Sequence, residues 1–363
     1  MAAAEYYRGC LLGLAVGDAM GYTVDEKTWE EICADYGPNG LLGYDLVNGC
    51  AEVSAHTQLA AYSVNGLLMA VTRSRQDACL RFLTVALREW ARGQHFPRDP
   101  ERSYCWVAKK DTMRRKHCRD IRMLTALGME QLGTPEAPLN RNSAPGALTV
   151  AAMIGLAFDP KRMEPRQVGE LAAEAVALTH GEPETFLSGV VLAYCIAGIL
   201  QEPSQPLKEQ FLQAIGAMDG QFRESFSQTA QVAAKLKLAI SMADRDPETA
   251  REGIEELECD TAVQCLGGAM YACLMCPSDF DAAVILAVNH SGRSAATGAL
   301  AGAILGAKLG AQALPEFYLE GLEVVGMLEE LAKDLAQGSP IMGLFDDDWD
   351  QKYVQGMPVG RFE

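Results

Sequence analysis

Two stretches of the chain carry a glycine at every fourth position. Gly9, Gly13, Gly17 and Gly21 lie near the start, and Gly298, Gly302, Gly306 and Gly310 lie near the end. A four-residue repeat puts all of them on one face of a helix. Each glycine costs a helix interior about 0.5–1 kcal/mol relative to alanine. Four on one face therefore need a physical reason, and close approach of a second backbone supplies one. The stripes predict two central helices packed tightly inside a helical bundle.

The rest of the chain agrees. Apolar residues recur at three- and four-residue spacing over 57–72, 76–92, 115–131, 165–178, 184–201, 222–244, 262–275, 279–289, 294–311 and 315–337. No series of alternating strands interrupts them. Breakers fall between: Gly37-Pro38-Asn39-Gly40, Pro97 to Pro100, Pro203 to Pro206, Pro277 and Pro315. The longest loop-like stretch is 133–146, of the kind that lines clefts in helical proteins. No linker divides the chain, so the expectation is one all-α domain over 1–363. Its polar tail, from about 338 to 363, is expected to pack on the surface without forming a helix.

The chain has a net charge of −17. A surface that acidic repels phosphate backbones and anionic membranes, so neither is expected as a partner. The longest apolar runs, near 144–158, 187–200 and 262–276, fall short of the roughly 18 residues of a membrane span. No targeting segment is apparent at the N-terminus. The eleven cysteines are scattered, mostly in apolar helical stretches, and read as reduced, buried, small residues. Cys273 and Cys276 form a lone CxxC without the further ligands of a zinc site. A reducing cytoplasm is the expected location.

The glycine-striped start, YYRGCLLGLAVGDAMGYTVD, resembles the opening of the ADP-ribosylglycohydrolase family, G-x-L-x-G-x-A-x-G-D-A-L-G followed by an acidic residue. The likeness continues in order. EEICADYGPNGLLGYD, SAHTQLAAYSVNGLL, APGALTVAAMIGL, ALTHGEP, NHSGRSAATGALAGAILGA and LPEFYLEGLE each match a family segment. The resemblance implies a single all-α orthogonal bundle. It also implies removal of ADP-ribose from modified side chains, or cleavage of related ADP-ribosyl bonds, with two magnesium ions. In the family those ions are held by a Thr-Asp-Asp motif and by a later Asp-x-Asp-Ser/Thr motif. Carboxylates suit magnesium, which takes about six oxygen ligands, and a metal pair orients and polarises the bond being broken.

Here the matching positions read Ser54-Ala55-His56-Thr57 and Arg293-Ser294-Ala295-Ala296. The four carboxylates are replaced, and of the family's ligands only the Ser54 hydroxyl remains. The acidic residue after the first helix is Asp25, where the family has glutamate. Arg293 puts a permanent positive charge where an ion would sit, and two like charges about 4 Å apart repel by several kcal/mol at an effective dielectric near 20. The expectation is that no magnesium pair binds and that no cofactor is used.

Arginine can take over the charge of an ion and suits phosphate or carboxylate. Arg293, with His56 and the helix start near Gly292 and Ser294, is therefore a candidate metal-free anion site for an ADP-ribose-like molecule or an ADP-ribosylated protein. The other reading pairs Arg293 with Asp25 or Glu52 and plugs the cleft. Ser54, Asn140 and Gly146 are further candidate ligand-lining residues. His56 and Asp25 are the candidates for acid–base work. His180 and His290 read as scaffold, and His95 and His117 as surface. Three functions stay open: a ligand-binding relative without the family's catalysis, a hydrolase of metal-poor chemistry, and a partner-binding protein with a closed cleft.

Overall fold

The computed structural model describes residues 2–72, 78–96, 103–161, 163–338 and 346–354. In chain order its helices are α1 (Ala2–Val24), α2 (Trp29–Tyr36), α3 (Ala55–Thr72), α4 (Ala78–His95), α5 (Ile121–Gly128), α6 (Leu148–Leu156), α7 (Pro165–Ala177), α8 (Pro183–Gln201) and α9 (Leu207–Phe222). They continue with α10 (Thr229–Met242), α11 (Ala250–Glu256), α12 (Ala262–Met275), α13 (Phe280–Val288), α14 (Ser294–Leu309), α15 (Glu316–Glu320), α16 (Val325–Gln337) and α17 (Asp347–Tyr353). Among the described residues the only β pairings are two isolated bridges, Val47 with Cys50 and Ala51 with Leu322. The all-α expectation holds.

The centre is the antiparallel pair α1 and α14. An added Cβ on Gly9, Gly13 or Gly17 would fall on the carbonyl oxygen of Gly306, Gly302 or Gly298, and one on Gly21 would fall on that of Ser294. The two stripes therefore face each other, backbone against backbone. Gly310 also packs its backbone against Gly9 but has a second role. It ends α14 at φ +81°, a left-handed conformation, with its N–H on the Gly306 carbonyl. Around the pair, α3, α13 and α16 pack on α1, while α8 and α12 pack on α14.

Other helices start where the local chemistry says they should. Thr28 and Glu31 form a capping box on α2, and Thr261 and Gln264 form one on α12. α8 is the one described helix long and apolar enough to cross a membrane, yet 78% of that stretch is buried against its neighbours. Cys10, Cys195 and Cys273 are buried in the core, where burial pushes their thiols up.

Some boundaries differ from the periodicity. The 115–131 segment is helical only over α5, because 106–114 form 3₁₀ turns and the chain then runs extended to Asp120, which caps α5. The 222–244 segment starts as a helix only at Thr229, and α9, just after Pro206, was not anticipated. The tail expectation is corrected as well. Asp346 caps α17 by accepting from the Trp349 amide. The helix then docks with Trp349 Nε1 on Thr72 Oγ1 (3.0 Å) and the Tyr353 hydroxyl on Asp334 (2.7 Å). It is too short and too polar to show periodicity, and tertiary contacts hold it. Pro97 to Pro100, the start of the 76–92 segment and the rest of the tail (339–345 and 355–363) lie outside the described residues.

Candidate functional site

Because α1 and α14 run antiparallel, the C-terminal end of α1 lies beside the N-terminal end of α14. Asp25 and Glu26 thereby meet Arg293, Ala295 and Ala296. The start of α3 adds Ser54, Ala55 and His56. The extended chain before α5 adds His117, Arg119 and Asp120, and the loop before α6 adds Ala144 to Gly146. Together they enclose a cleft of about 120 Å³. The two altered motifs, far apart in sequence, do come together.

Asp18 organises its floor, and sequence reasoning passed over it. The residue is fully buried on α1. Its carboxylate accepts from the amides of Ser54 (2.9 Å) and Thr57 (3.0 Å) and from both of their hydroxyls (2.5 Å each). It is a cap for α3 supplied by another helix, at the end where a helix favours negative charge. A signal was available: a carboxylate inside a glycine-striped, otherwise apolar helix must have buried partners. The Ser54 hydroxyl is thus already donating.

Arg293 does not reach into the cleft as a free cation. Its Nη1 pairs with Glu26 and its Nε lies 3.2 Å from Asp260, with the side chain about 40% exposed. The ion-pair reading is therefore the one observed, with different partners. Asp25 instead accepts from the Ala295 amide at 3.1 Å. The start of α14, expected to attract an anion, already holds the protein's own carboxylate. Burial raises the Asp25 carboxyl above its ordinary value, against the Ala295 amide, His56 and Arg293.

The histidines carry the unspent polarity. His56 Nδ1 and His117 Nε2 are buried without a hydrogen-bond partner, and both residues line the cleft. The surface reading of His117 is corrected. Its Nδ1 lies 3.1 Å from the Tyr22 hydroxyl, its ring meets Tyr22 edge-on, and burial lowers its pKa. His180 is fully buried behind Gly146, with Nδ1 2.7 Å from Thr179 Oγ1 and Nε2 3.5 Å from Asp120. Burial holds His180 below its ordinary value. Burial works to raise Asp120, but the nearby His180 ring, with donation from Asn142 and the Met123 amide, holds its carboxyl well below the usual range. His290 accepts from the Gly292 amide at 2.9 Å, and burial lowers it to about 4.

Three sequence candidates lie off the cleft wall. Asn140 clamps the loop to the Thr-His-Gly turn, donating to the Thr179 carbonyl and accepting from the Asn142 and Gly181 amides. Gly292 packs on the carbonyls of Glu258 and Cys259. Ser294 is buried against α1, with its hydroxyl toward the His290 carbonyl. Gly146 does line the cleft. A larger cavity, about 1130 Å³, lies at the opposite end of α1 beside Tyr6, Tyr7, Leu68, Phe158 and Met163, and contains none of the motif residues.

The donor set does not suit a pair of magnesium ions. Ala55, Ala295 and Ala296 offer no ligand atom, Arg293 offers only donors, and the Ser54 hydroxyl is taken by Asp18. No group of three or more His, Cys, Asp or Glu side chains among the described residues is arranged to hold a metal ion.

An all-helical bundle with a cleft between the ends of two glycine-striped helices is the class of protein defined so far. The sequence profile of the ADP-ribosylglycohydrolase family matches residues 2–342, and the chain belongs to that family. An uncharacterized protein of Archaeoglobus fulgidus is 28% identical over 340 residues, covering 91% of this chain and 96% of its own. A solved structure described as an "ADP-ribosylglycohydrolase-related protein complex" shares the fold with a TM-score of 0.57, at 22% identity, over 93% of this chain and 99% of its own.

Proposed function

We propose that this member of the family has lost the two-magnesium reaction and binds an ADP-ribose-like ligand, free or attached to a protein, without metal. The observation that carries the reading is the Arg293 guanidinium held between Glu26 and Asp260 at the end of the cleft where the family motif supplies a carboxylate. An internal ion pair stands in place of an ion. His56 and His117 then offer the free ring nitrogens that a sugar hydroxyl or phosphate oxygen would meet. At about 120 Å³ the cleft is well below the ~300–1,000 Å³ of a cofactor-sized site. It accepts one sugar- or phosphate-sized part, and the remainder would lie across the rim at Arg119 and Arg293. Reduced, buried thiols such as Cys10, Cys195 and Cys273 fit a cytoplasmic setting.

Isothermal titration with ADP-ribose, run with magnesium and again with a chelator, tests the reading. The expected result is equal affinity in both buffers, at least tenfold weaker binding in Arg293→Asp and His117→Ala, and no turnover of an ADP-ribosylated peptide. Binding that needs magnesium, or turnover that a chelator abolishes, would sink it. A second reading is favoured by the small cleft and by Asp25 at the start of α14: a partner-binding protein with a closed cleft. Absence of ADP-ribose binding in either buffer would select it.

A further inference from the structure

Nine large hydrophobic side chains are exposed among the described residues, and four of them lie on two chain segments that touch: Leu42, Leu46, Val47 and Phe317, each 48–58% exposed. The first three sit on the loop between α2 and α3, and Phe317 sits on α15. The loop is pinned to α15 and the turn after it. Tyr44 stacks edge-on against Tyr318 with centroids 5.0 Å apart, Tyr44 and Leu46 lie over Gly321, and the Ala51 amide donates to the Gly321 carbonyl at 2.8 Å.

The loop is also stiff. Val47 and Cys50 exchange both backbone hydrogen bonds, at 2.9 and 3.1 Å, around Asn48 (φ +53°) and Gly49 (φ +83°). Positive φ at both central residues is the tight Asn-Gly hairpin turn. Turn tips are ordinarily polar, whereas this one carries Leu46 and Val47 into solvent on a fixed backbone. Preorganised apolar groups lose little freedom on binding, and a gathered apolar patch with a polar rim is the usual form of a docking site.

The rim is acidic on balance, although Arg115 pairs with Glu323 at 2.9 Å. Residues 37–53 and 314–323 contain Asp45, Glu52, Glu316, Glu320 and Glu323, and no lysine or arginine. Glu316 and Glu320 flank Phe317 on α15, and Asp45 sits between Tyr44 and Leu46. A second copy of the chain would bring this acidic rim against itself, and an anionic membrane would be repelled. We propose that the hairpin tip and α15 form a docking surface for a protein segment that is apolar on one face and flanked by lysine or arginine. The proposal is independent of what the cleft binds.

The test uses the full chain and a fluorescein-labelled 18-residue synthetic helix of leucine and lysine, with its leucines on one face. Comparison peptides replace lysine by glutamate, or leucine by serine. Anisotropy at physiological salt is read for the natural chain, Val47→Asp/Phe317→Asp, and Glu316→Lys/Glu320→Lys. All four positions are exposed, and an unchanged melting temperature confirms that the variants fold. The expected result is saturable binding of the leucine–lysine helix, at least tenfold weaker for the serine–lysine peptide and for Val47→Asp/Phe317→Asp. Glu316→Lys/Glu320→Lys should shift preference towards the leucine–glutamate helix. Three outcomes overturn the proposal: equal binding by Val47→Asp/Phe317→Asp, equal binding of the serine–lysine peptide, or a dimer in sedimentation that Val47→Asp/Phe317→Asp dissociates.

Discussion

At the scale of the residue, the altered cleft is held by charges that satisfy one another. Asp18 receives two amides and two hydroxyls at the start of α3, and Asp25 receives an amide at the start of α14. A buried carboxylate so bonded is strongly committed, because its loss strands several donors at once. Asp18→Asn keeps the shape but removes the charge, and its new NH2 must face either the Ser54 hydroxyl or the Ser54 and Thr57 amides. We expect it to lower the stability measured by urea unfolding by about 3 kcal/mol. A loss under about 1 kcal/mol would show that the cap contributes little. The Arg293 pairs are more exposed and are expected to matter for the cleft more than for stability.

At the scale of the element, the stripes on α1 and α14 set how close the two helices come. Gly302 has the Gly13 carbonyl where its Cβ would be, so Gly302→Ala must push the helices apart. Its expected loss is about 1–3 kcal/mol, as for other overpacked sites. Gly216 is the control. It lies inside α9, is exposed and has open space around its missing Cβ, so Gly216→Ala should gain about 0.5–1 kcal/mol. Equal effects of the two substitutions in thermal melts would refute close approach as the reason for the stripes.

At the scale of the whole molecule, burial of imidazoles makes stability depend on pH. His117, His180 and His290 all have lowered values in the folded chain. The unfolded chain therefore takes up their protons first, so their contribution is full above about pH 6.5 and is lost as pH falls. For His290 the fall from 6.5 to about 4, at about 1.4 kcal/mol per pH unit, amounts to about 3 kcal/mol. The depressed Asp120 carboxyl continues the loss below about pH 4. Asp25, raised by burial, acts in the opposite sense and loses its contribution as pH rises through its folded value. Urea midpoints should fall between pH 7 and pH 5, and a flat profile there would contradict buried neutral histidines.

The sequence by itself determined the all-helical class and the close pair of central helices. Those depend on periodicity and on glycine spacing, both of which are local. The replaced carboxylates and the meeting of the two motifs were legible only through the family resemblance. Tertiary structure alone decided the rest. Arg293 took Glu26 and Asp260 as partners, a choice fixed by where the end of α1 and the turn at residue 260 arrive. His117 entered the cleft because Tyr22 and the chain before α5 bring it there, although its charged neighbours in sequence suggest the surface. The α17 helix exists because Trp349 and Tyr353 find Thr72 and Asp334, contacts made across more than 270 residues in one case and fewer than 20 in the other. Such partners are matters of position in space, and a linear pattern carries no record of them.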